Sequence, residues 1–463
     1  MRLAFLFLLI AQTIFCQSPY GDWYATLKAA NLPLVFHINK DGKRNQITVD
    51  SPKQFAFDMP AEISISKNNT LKVEMQTLGV TYEGTYYSDS ISGMFKQGPI
   101  VEQMTFYREK IIAKKVHRPQ NPQAPYAYHQ KLVKFKNLKE PILLAGTLTL
   151  PKNKTNLPAI VLVSGSGPQN RDEEIMEHRP FWVLADYLTN LGYAVLRYDD
   201  RGTFDSEGDF SAATTLDFAN DAASAVQYLK SLPQIDANKI VVMGHSEGGL
   251  IANILGAIIP GLSGIVSLAG TSIRGDSILK IQTKLIAESS GQEGAQFELT
   301  YDYNIAIWDA VIDSKNIKEF ETELTSISND FVKIFRKKKL IKKGEESEVI
   351  DAVKKTWLNP WMYEFIRYAP SKDIPSIQCA VLVLIGSRDI QVTSKENIAG
   401  YKKLLPKNNK IQIVKELDGL NHLFQTCKTC SINEYGELEE TFSKDALKEI
   451  KLFLESIWST NKK

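Results

Sequence analysis

From about residue 130 onward, short apolar runs recur with amphipathic stretches between them, and this alternation constrains the chain more than any other feature. The runs are Ala159–Ser164, Tyr193–Tyr198, Lys239–Met243, Leu262–Leu268, Ala380–Ile385 and Lys410–Lys415. Strands this nearly continuous in apolar residues are expected to be covered on both faces. Helix-like segments near 180–191, 215–231 and 248–259 separate the earlier ones. The pattern predicts an α/β fold class, a doubly wound and mostly parallel sheet. Lys131–Lys136 and Leu143–Leu150 read as a hairpin that opens it.

The preceding stretch has a different grammar. Between residues 20 and 110, apolar and polar residues alternate, as in Ala61–Ser66 and Leu71–Gln76, with turns roughly every 8–12 residues. Period-two patterning of this kind predicts a small antiparallel β domain. Residues 117–128, with three prolines, read as an extended linker. Between the apolar runs at 262–268 and 380–385 the chain is polar, Lys/Glu-rich and helical. An insertion there sits at the C-terminal edge of the sheet, over the ligand crevice, and acts as a cap. It carries the basic run Arg336–Lys339, read as a solvated helix face. Its aromatic cluster of Trp357, Trp361, Tyr363 and Phe365 reads either as cap core or as a wall of the crevice. The expected organisation is therefore a signal segment at 1–17, the β domain at 18–112 and a linker at 113–130. The first part of the core follows at 131–274, the cap at 275–372 and the second part of the core at 373–463.

Residues 1–17 pair one Arg with an apolar run too short for a bilayer, which needs about 20 residues. That is the form of a secretory signal, cleaved near Cys16 or Gln17. Lipoprotein anchoring at Cys16 is the lesser alternative, because Ile14 and Phe15 are bulky. The expected location is outside the cytoplasm, periplasmic or secreted, with no stable membrane insertion after processing. Lys+Arg 55 against Asp+Glu 53 is a balance that argues against a nucleic-acid partner. Four cysteines are too few for a disulfide scaffold. Cys427 and Cys430 read as a short disulfide or as two free thiols bracing a loop; zinc would need more ligands.

One apolar run leads straight into Gly244-His245-Ser246-Glu247-Gly248-Gly249. A G-x-S-x-G turn between strand and helix pushes the serine hydroxyl out of the sheet. It also sets the next N–H, that of Glu247, at a helix N-terminus where it can face an anion. A serine nucleophile needs a base. Of six histidines only His422 lies beyond Ser246 in a loop after the last strand, so it is the candidate. The orienting acid should lie between them at a strand end. Asp389 fits, with Asp418 and Asp373 as rivals. The second oxyanion donor is sought in the loop Ser164-Gly165-Ser166-Gly167-Pro168, with the Ser166 N–H preferred and Gly165 as the alternative. Tyr198-Asp199-Asp200-Arg201-Gly202 reads as an ion-paired loop that holds the crevice in shape. His245 flanks Ser246 without entering the proton relay, and His178 reads as lining the entrance or lying on the surface.

These motifs, in this order over roughly residues 130–460, resemble the α/β-hydrolase superfamily. The G-H-S-E-G-G elbow, the cap and the β unit ahead of them resemble a group of exported bacterial serine carboxylesterases. The resemblance implies a Ser246–Asp389–His422 triad, no metal or other cofactor, and hydrolysis of a small-molecule carboxylic ester. Where many members carry His-Gly in the oxyanion loop, this chain has Ser164-Gly165. Two other functions stay open: a serine peptidase of the same fold, with Glu345, Glu346 or Glu364 gripping an amine, and a non-enzymatic binding protein with a vestigial core. The sequence sets neither acyl and alcohol preference nor oligomeric state.

Overall fold

The computed structural model describes residues 18–458 except 28–31, 43, 53–55, 76–77, 98–99, 110–115, 339, 342, 345 and 409. The signal-segment reading of residues 1–17 lies outside the described residues. The chain divides into two compact units, 1–115 and 116–463.

The first unit is a closed antiparallel barrel of eight strands. They are β1 (Gly21–Leu27), β2 (Leu32–Asp41), β3 (Arg44–Ser51), β4 (Ala56–Ile65), β5 (Thr70–Met75), β6 (Val80–Tyr86), β7 (Ser90–Gln97) and β8 (Ile100–Tyr107). Alternation decides its inside: in β1 the buried residues are Trp23, Ala25 and Leu27, with polar neighbours between them. Phe36 stacks on Phe106 at 3.9 Å between ring centroids, and both meet Tyr82 edge-on. The buried Tyr82 hydroxyl shares its one proton between the Ile91 and Met104 carbonyls, 2.9 and 3.0 Å away. Pairing of β1 with β8 closes the barrel, so no strand edge is left open.

The second unit is built on an eight-stranded mixed sheet. Its strands are β9 (Tyr128–Lys136), β10 (Leu143–Pro151), β11 (Leu157–Val163), β12 (Ala194–Tyr198), β13 (Ile235–His245), β14 (Gly264–Leu268), β15 (Ala380–Gly386) and β16 (Gln412–Leu417). Their order is β16-β15-β14-β13-β11-β12-β10-β9. The hairpin β9–β10 is antiparallel and joins β12 antiparallel; β11 through β16 run parallel. The order reverses at β11, the switch point where such sheets open a crevice at their C-terminal ends.

The apolar runs are continuous because each strand feeds two cores. Ala159, Val161 and Val163 pack toward α2 (Thr215–Lys230) and α3 (Glu247–Ile258). Ile160 and Leu162 pack toward α1 (Pro180–Asn190) and α10 (Lys444–Trp458). Each of these Val, Ile and Leu side chains contributes about 1.5–3 kcal/mol on full burial.

The insertion between β14 and β15 consists of α4 (Gly275–Ser289), α5 (Ala295–Asp313), α6 (Ile317–Lys337), α7 (Glu346–Trp357) and α8 (Pro360–Arg367). It has its own core around Ile307, Trp308, Phe320 and Tyr363. After it come α9 (Ser394–Leu404), between β15 and β16, and finally α10. Among the described residues, no helix is long and apolar enough to cross a membrane.

Candidate active site

Strand β13 ends at His245 and α3 begins at Glu247, leaving Ser246 alone on the corner. Its backbone sits at φ 54° and ψ −115°, a conformation costing on the order of 1–3 kcal/mol. Neighbouring glycines make the corner possible. A Cβ on Gly244 would lie 1.9 Å from the Gly248 carbonyl oxygen, and one on Gly248 would lie 2.1 Å from that of Val163. The Ser246 N–H donates to the Leu268 carbonyl at 2.8 Å, which pins the turn to the next strand. Glu247 occupies the first position of α3, so its N–H is among the helix-terminal donors that lack an intrahelical acceptor.

Asp389 stands three residues past β15 and is buried. Its Oδ1 accepts the N–H groups of Gln391 and Val392 at 2.8 and 2.9 Å. Its Oδ2 lies 2.8 Å from Nδ1 of the buried His422. A carboxylate fixed this way accepts the Nδ1–H hydrogen bond, which keeps the proton on Nδ1 and leaves Nε2 with a free lone pair. The two rivals face elsewhere: Asp418 accepts from Ser387 Oγ at 3.0 Å, and Asp373 accepts from the Tyr368 hydroxyl.

The His422 loop is tied internally and to the elbow. Asn421 Oδ1 accepts from the Leu423 and Gln425 amides at 3.0 and 2.9 Å. The His422 carbonyl accepts from Nε2 of His245 at 2.9 Å, so the base-bearing loop lies against the residue preceding Ser246. Among the described residues, Ser246 Oγ makes no hydrogen bond to the His422 ring.

The loop after β11 meets the elbow from the other side. A Cβ on Gly165 would lie 3.2 Å from that of Ser246. Gly165, the alternative oxyanion donor in the sequence reading, is not available: its N–H is spent on Glu173 Oε1 at 2.7 Å. Ser166 keeps its candidacy. The Ser164 hydroxyl, where many superfamily members have histidine, donates to Asp200 Oδ1 at 2.7 Å, and the Gln169 N–H donates to Asp200 Oδ2 at 2.9 Å. Burial pushes the Asp200 carboxyl well above its ordinary range, against these two hydrogen bonds. Its neighbours are ion-paired: Asp199 with Arg171, and Arg201 with Asp221 at 2.7 Å. The Asp-Asp-Arg turn thus holds the loop in front of Ser246.

Two polar side chains at the elbow, and His178 away from it, carry more structure than the sequence suggests. His245 is buried, with Nδ1 2.9 Å from Glu173 Oε1. Burial works against its charged form, but Glu173 more than offsets this, and its pKa is raised. Glu247 is also buried, and burial raises its carboxyl pKa. Its Oε1 accepts from Thr215 Oγ1 at 2.6 Å and from Trp361 Nε1, in the cap, at 2.8 Å. His178 is neither at an entrance nor on the surface, because it is 1% exposed. Its Nδ1 lies 2.9 Å from Thr441 Oγ1, and its Nε2 lies 2.8 Å from the Tyr435 carbonyl.

The cap aromatics split between the two sequence readings. Trp357 meets Trp308 edge-on, and Tyr363 packs on Phe320 inside the cap. Trp361 stacks on Phe365 and both pack against the sheet's core. Glu346, one carboxylate considered for amine recognition, pairs with Arg336 at 3.1 Å. A cleft of about 660 Å³ opens beside Asp389, walled by Ile281, Leu285 and Tyr301 of the cap and by Arg388 and Ile390. Cys427 and Cys430 are joined in a disulfide just past His422.

Residues 140–416, which hold the elbow, Asp389, most of the sheet and the whole cap, match the X-Pro dipeptidyl-peptidase family, S15. The chain belongs to the S15 family. It is an α/β-hydrolase, as the order of its motifs and its sheet imply. Esterase EstD of Thermotoga maritima is 26% identical over 280 residues, covering 60% of this chain. The S15-family chain spans 58% of that relative's length. Among solved structures, an esterase of Pyrococcus furiosus is 16% identical, covers 75% of this chain and 98% of its own, and has a TM-score of 0.45. The α/β hydrolase GrgF of Penicillium sp. sh18 is also 16% identical, covers 72% and 100%, and has a TM-score of 0.44.

Proposed function

We propose that this chain is a serine hydrolase that cleaves carboxylic esters through an acyl-enzyme on Ser246. The observation that carries the reading is the buried 2.8 Å contact between His422 Nδ1 and Asp389, in a loop bonded to the residue next to Ser246. With Nδ1–H held by Asp389, Nε2 of His422 takes the Ser246 proton as Oγ attacks the ester carbonyl. Links of this kind often tighten only when substrate is bound, which accounts for the open Ser246–His422 step. The carbonyl oxygen becomes an oxyanion held by the N–H groups of Glu247 and Ser166. The C–O bond to the alcohol then breaks, and His422 returns the proton to the leaving oxygen. A water attacks the acyl-enzyme by the same relay and releases the acid and free Ser246.

The esterase relative supports an ester substrate, while the family's name points to amides of X-Pro peptides. The pairing of Glu346 with Arg336 weighs against that carboxylate as an amine anchor. We place the mature chain outside the cytoplasm, a compartment that suits the Cys427–Cys430 disulfide. The test is a panel of p-nitrophenyl acyl esters beside X-Pro p-nitroanilides. The ester reading expects the higher kcat/KM on an ester. A higher kcat/KM on an anilide makes the chain a peptidase, and silence on both substrate classes leaves the binding-protein reading.

A further inference from the structure

Glu173 lies in a polar run, Arg171–Glu174, that has no part in the relay. Yet it is 1% exposed, and its backbone is held at φ 51°, a region that side chains larger than glycine avoid. Strain of that size persists only where the surroundings enforce it. The enforcing contacts are specific. Glu173 Oε1 accepts the Gly165 N–H at 2.7 Å and faces His245 Nδ1 at 2.9 Å. His245 Nε2 reaches the His422 carbonyl at 2.9 Å. A carbonyl can only accept, so Nε2 carries a proton. Pro180, Phe181, Leu268, Leu423 and Phe442 close around the pair, with no space for a water beside it.

Three separate loops are joined by this one chain of contacts: the oxyanion loop at Gly165, the elbow at His245 and the base loop at His422. We infer that Glu173 and His245 form a positioning clamp that sets the oxyanion loop and the His422 loop at a fixed distance from Ser246. The inference rests on the Ser246–His422–Asp389 reading above. Neither side chain touches the reacting atoms. The clamp acts through the backbone of Gly165 and His422, so its loss lowers turnover without changing substrate affinity.

In Glu173→Gln the amide Oε1 still accepts from Gly165, but a neutral His245 whose Nε2 proton stays directed at the His422 carbonyl has no Nδ1 proton left to donate to that same oxygen. Glu173→Gln therefore keeps the oxyanion loop tied while loosening the His245 link, and is expected to lower kcat by about tenfold, between the parent and Glu173→Ala. Glu173→Ala and His245→Ala each release two loops, and a misplacement of about 1 Å costs roughly 100-fold in kcat. KM on the best ester is expected to stay unchanged. The double alanine variant is expected to be no slower than the slower single one, because the two residues act as a unit. Circular dichroism and a thermal melt establish the folded fraction, and kcat is taken per folded molecule. Where an alanine variant does not fold, Glu173→Gln and His245→Gln decide, the latter keeping one of its two contacts and an intermediate kcat. The clamp is overturned if the parent is active and the folded variants match it. It is equally overturned if the two effects multiply, or if Glu173→Gln loses 100-fold. A parent inert on all esters and anilides overturns the hydrolase reading itself, and the clamp with it.

Discussion

At the scale of single residues, the account turns on which proton sits where. Asp389 holds its Oδ1 on two backbone amides and offers Oδ2 to His422, so the ring has one orientation and one tautomer. Replacing Asp389 by Asn puts an amide N–H opposite Nδ1 and favours the tautomer with its proton on Nε2, where the base is needed. Asp389→Asn is expected to lower kcat by about 10⁴ while the fold, read by circular dichroism, is retained. A loss of less than tenfold would move the acid elsewhere. The pairing of Asp389 with His422 is legible from sequence because Asp389 follows a strand end and only one histidine follows the elbow. Glu173 is not legible. Nothing in Arg171-Asp172-Glu173-Glu174 distinguishes the carboxylate that folds inward from its neighbours, since left-handed backbone and burial come from tertiary packing. Gly165 shows the same limit: its N–H stands in the right loop, but its partner is a side chain that the sequence does not place.

At the scale of elements, α8 does more than complete the cap. Trp361 reaches the carboxyl of Glu247, the residue whose N–H is proposed to hold the oxyanion. Trp361→Phe removes the donor while keeping the ring that stacks on Phe365. Losing one hydrogen bond to a buried carboxyl is worth about 1–1.5 kcal/mol, which as a barrier is about a five- to thirteenfold fall in kcat/KM. Steady-state kinetics on p-nitrophenyl butyrate check this, and an unchanged kcat/KM would uncouple the cap from the elbow. The strands of the second unit are readable because apolar runs covered on both faces have no competing interpretation. The helices that follow 180, 215 and 248 are likewise where periodicity puts them. Closure of the first unit is not readable. It depends on β1 meeting β8, and local alternation is the same in an open sheet and in a barrel.

At the scale of the whole molecule, burial of titratable groups sets how the fold responds to pH. Burial, with Arg118 nearby, lowers the pKa of His178 from 6.5 to about 4. The unfolded chain therefore binds a proton in that window which the folded chain refuses. Stability is full above pH 6.5 and is lost as pH falls toward 4. The size of the loss at this site is about 3 kcal/mol. Urea unfolding at pH 7 and pH 4.5 is expected to show it, and His178→Gln is expected to flatten the difference; parallel behaviour of the two proteins would contradict the assignment. The central claim is that one serine, at the corner between β13 and α3, becomes acylated. The direct measurement is peptide mapping by mass spectrometry after treatment with a fluorophosphonate. The account predicts a single adduct on Ser246, absent from Ser246→Ala and slowed in His422→Ala. An adduct that persists in Ser246→Ala, or a native protein that is never labelled, would contradict it.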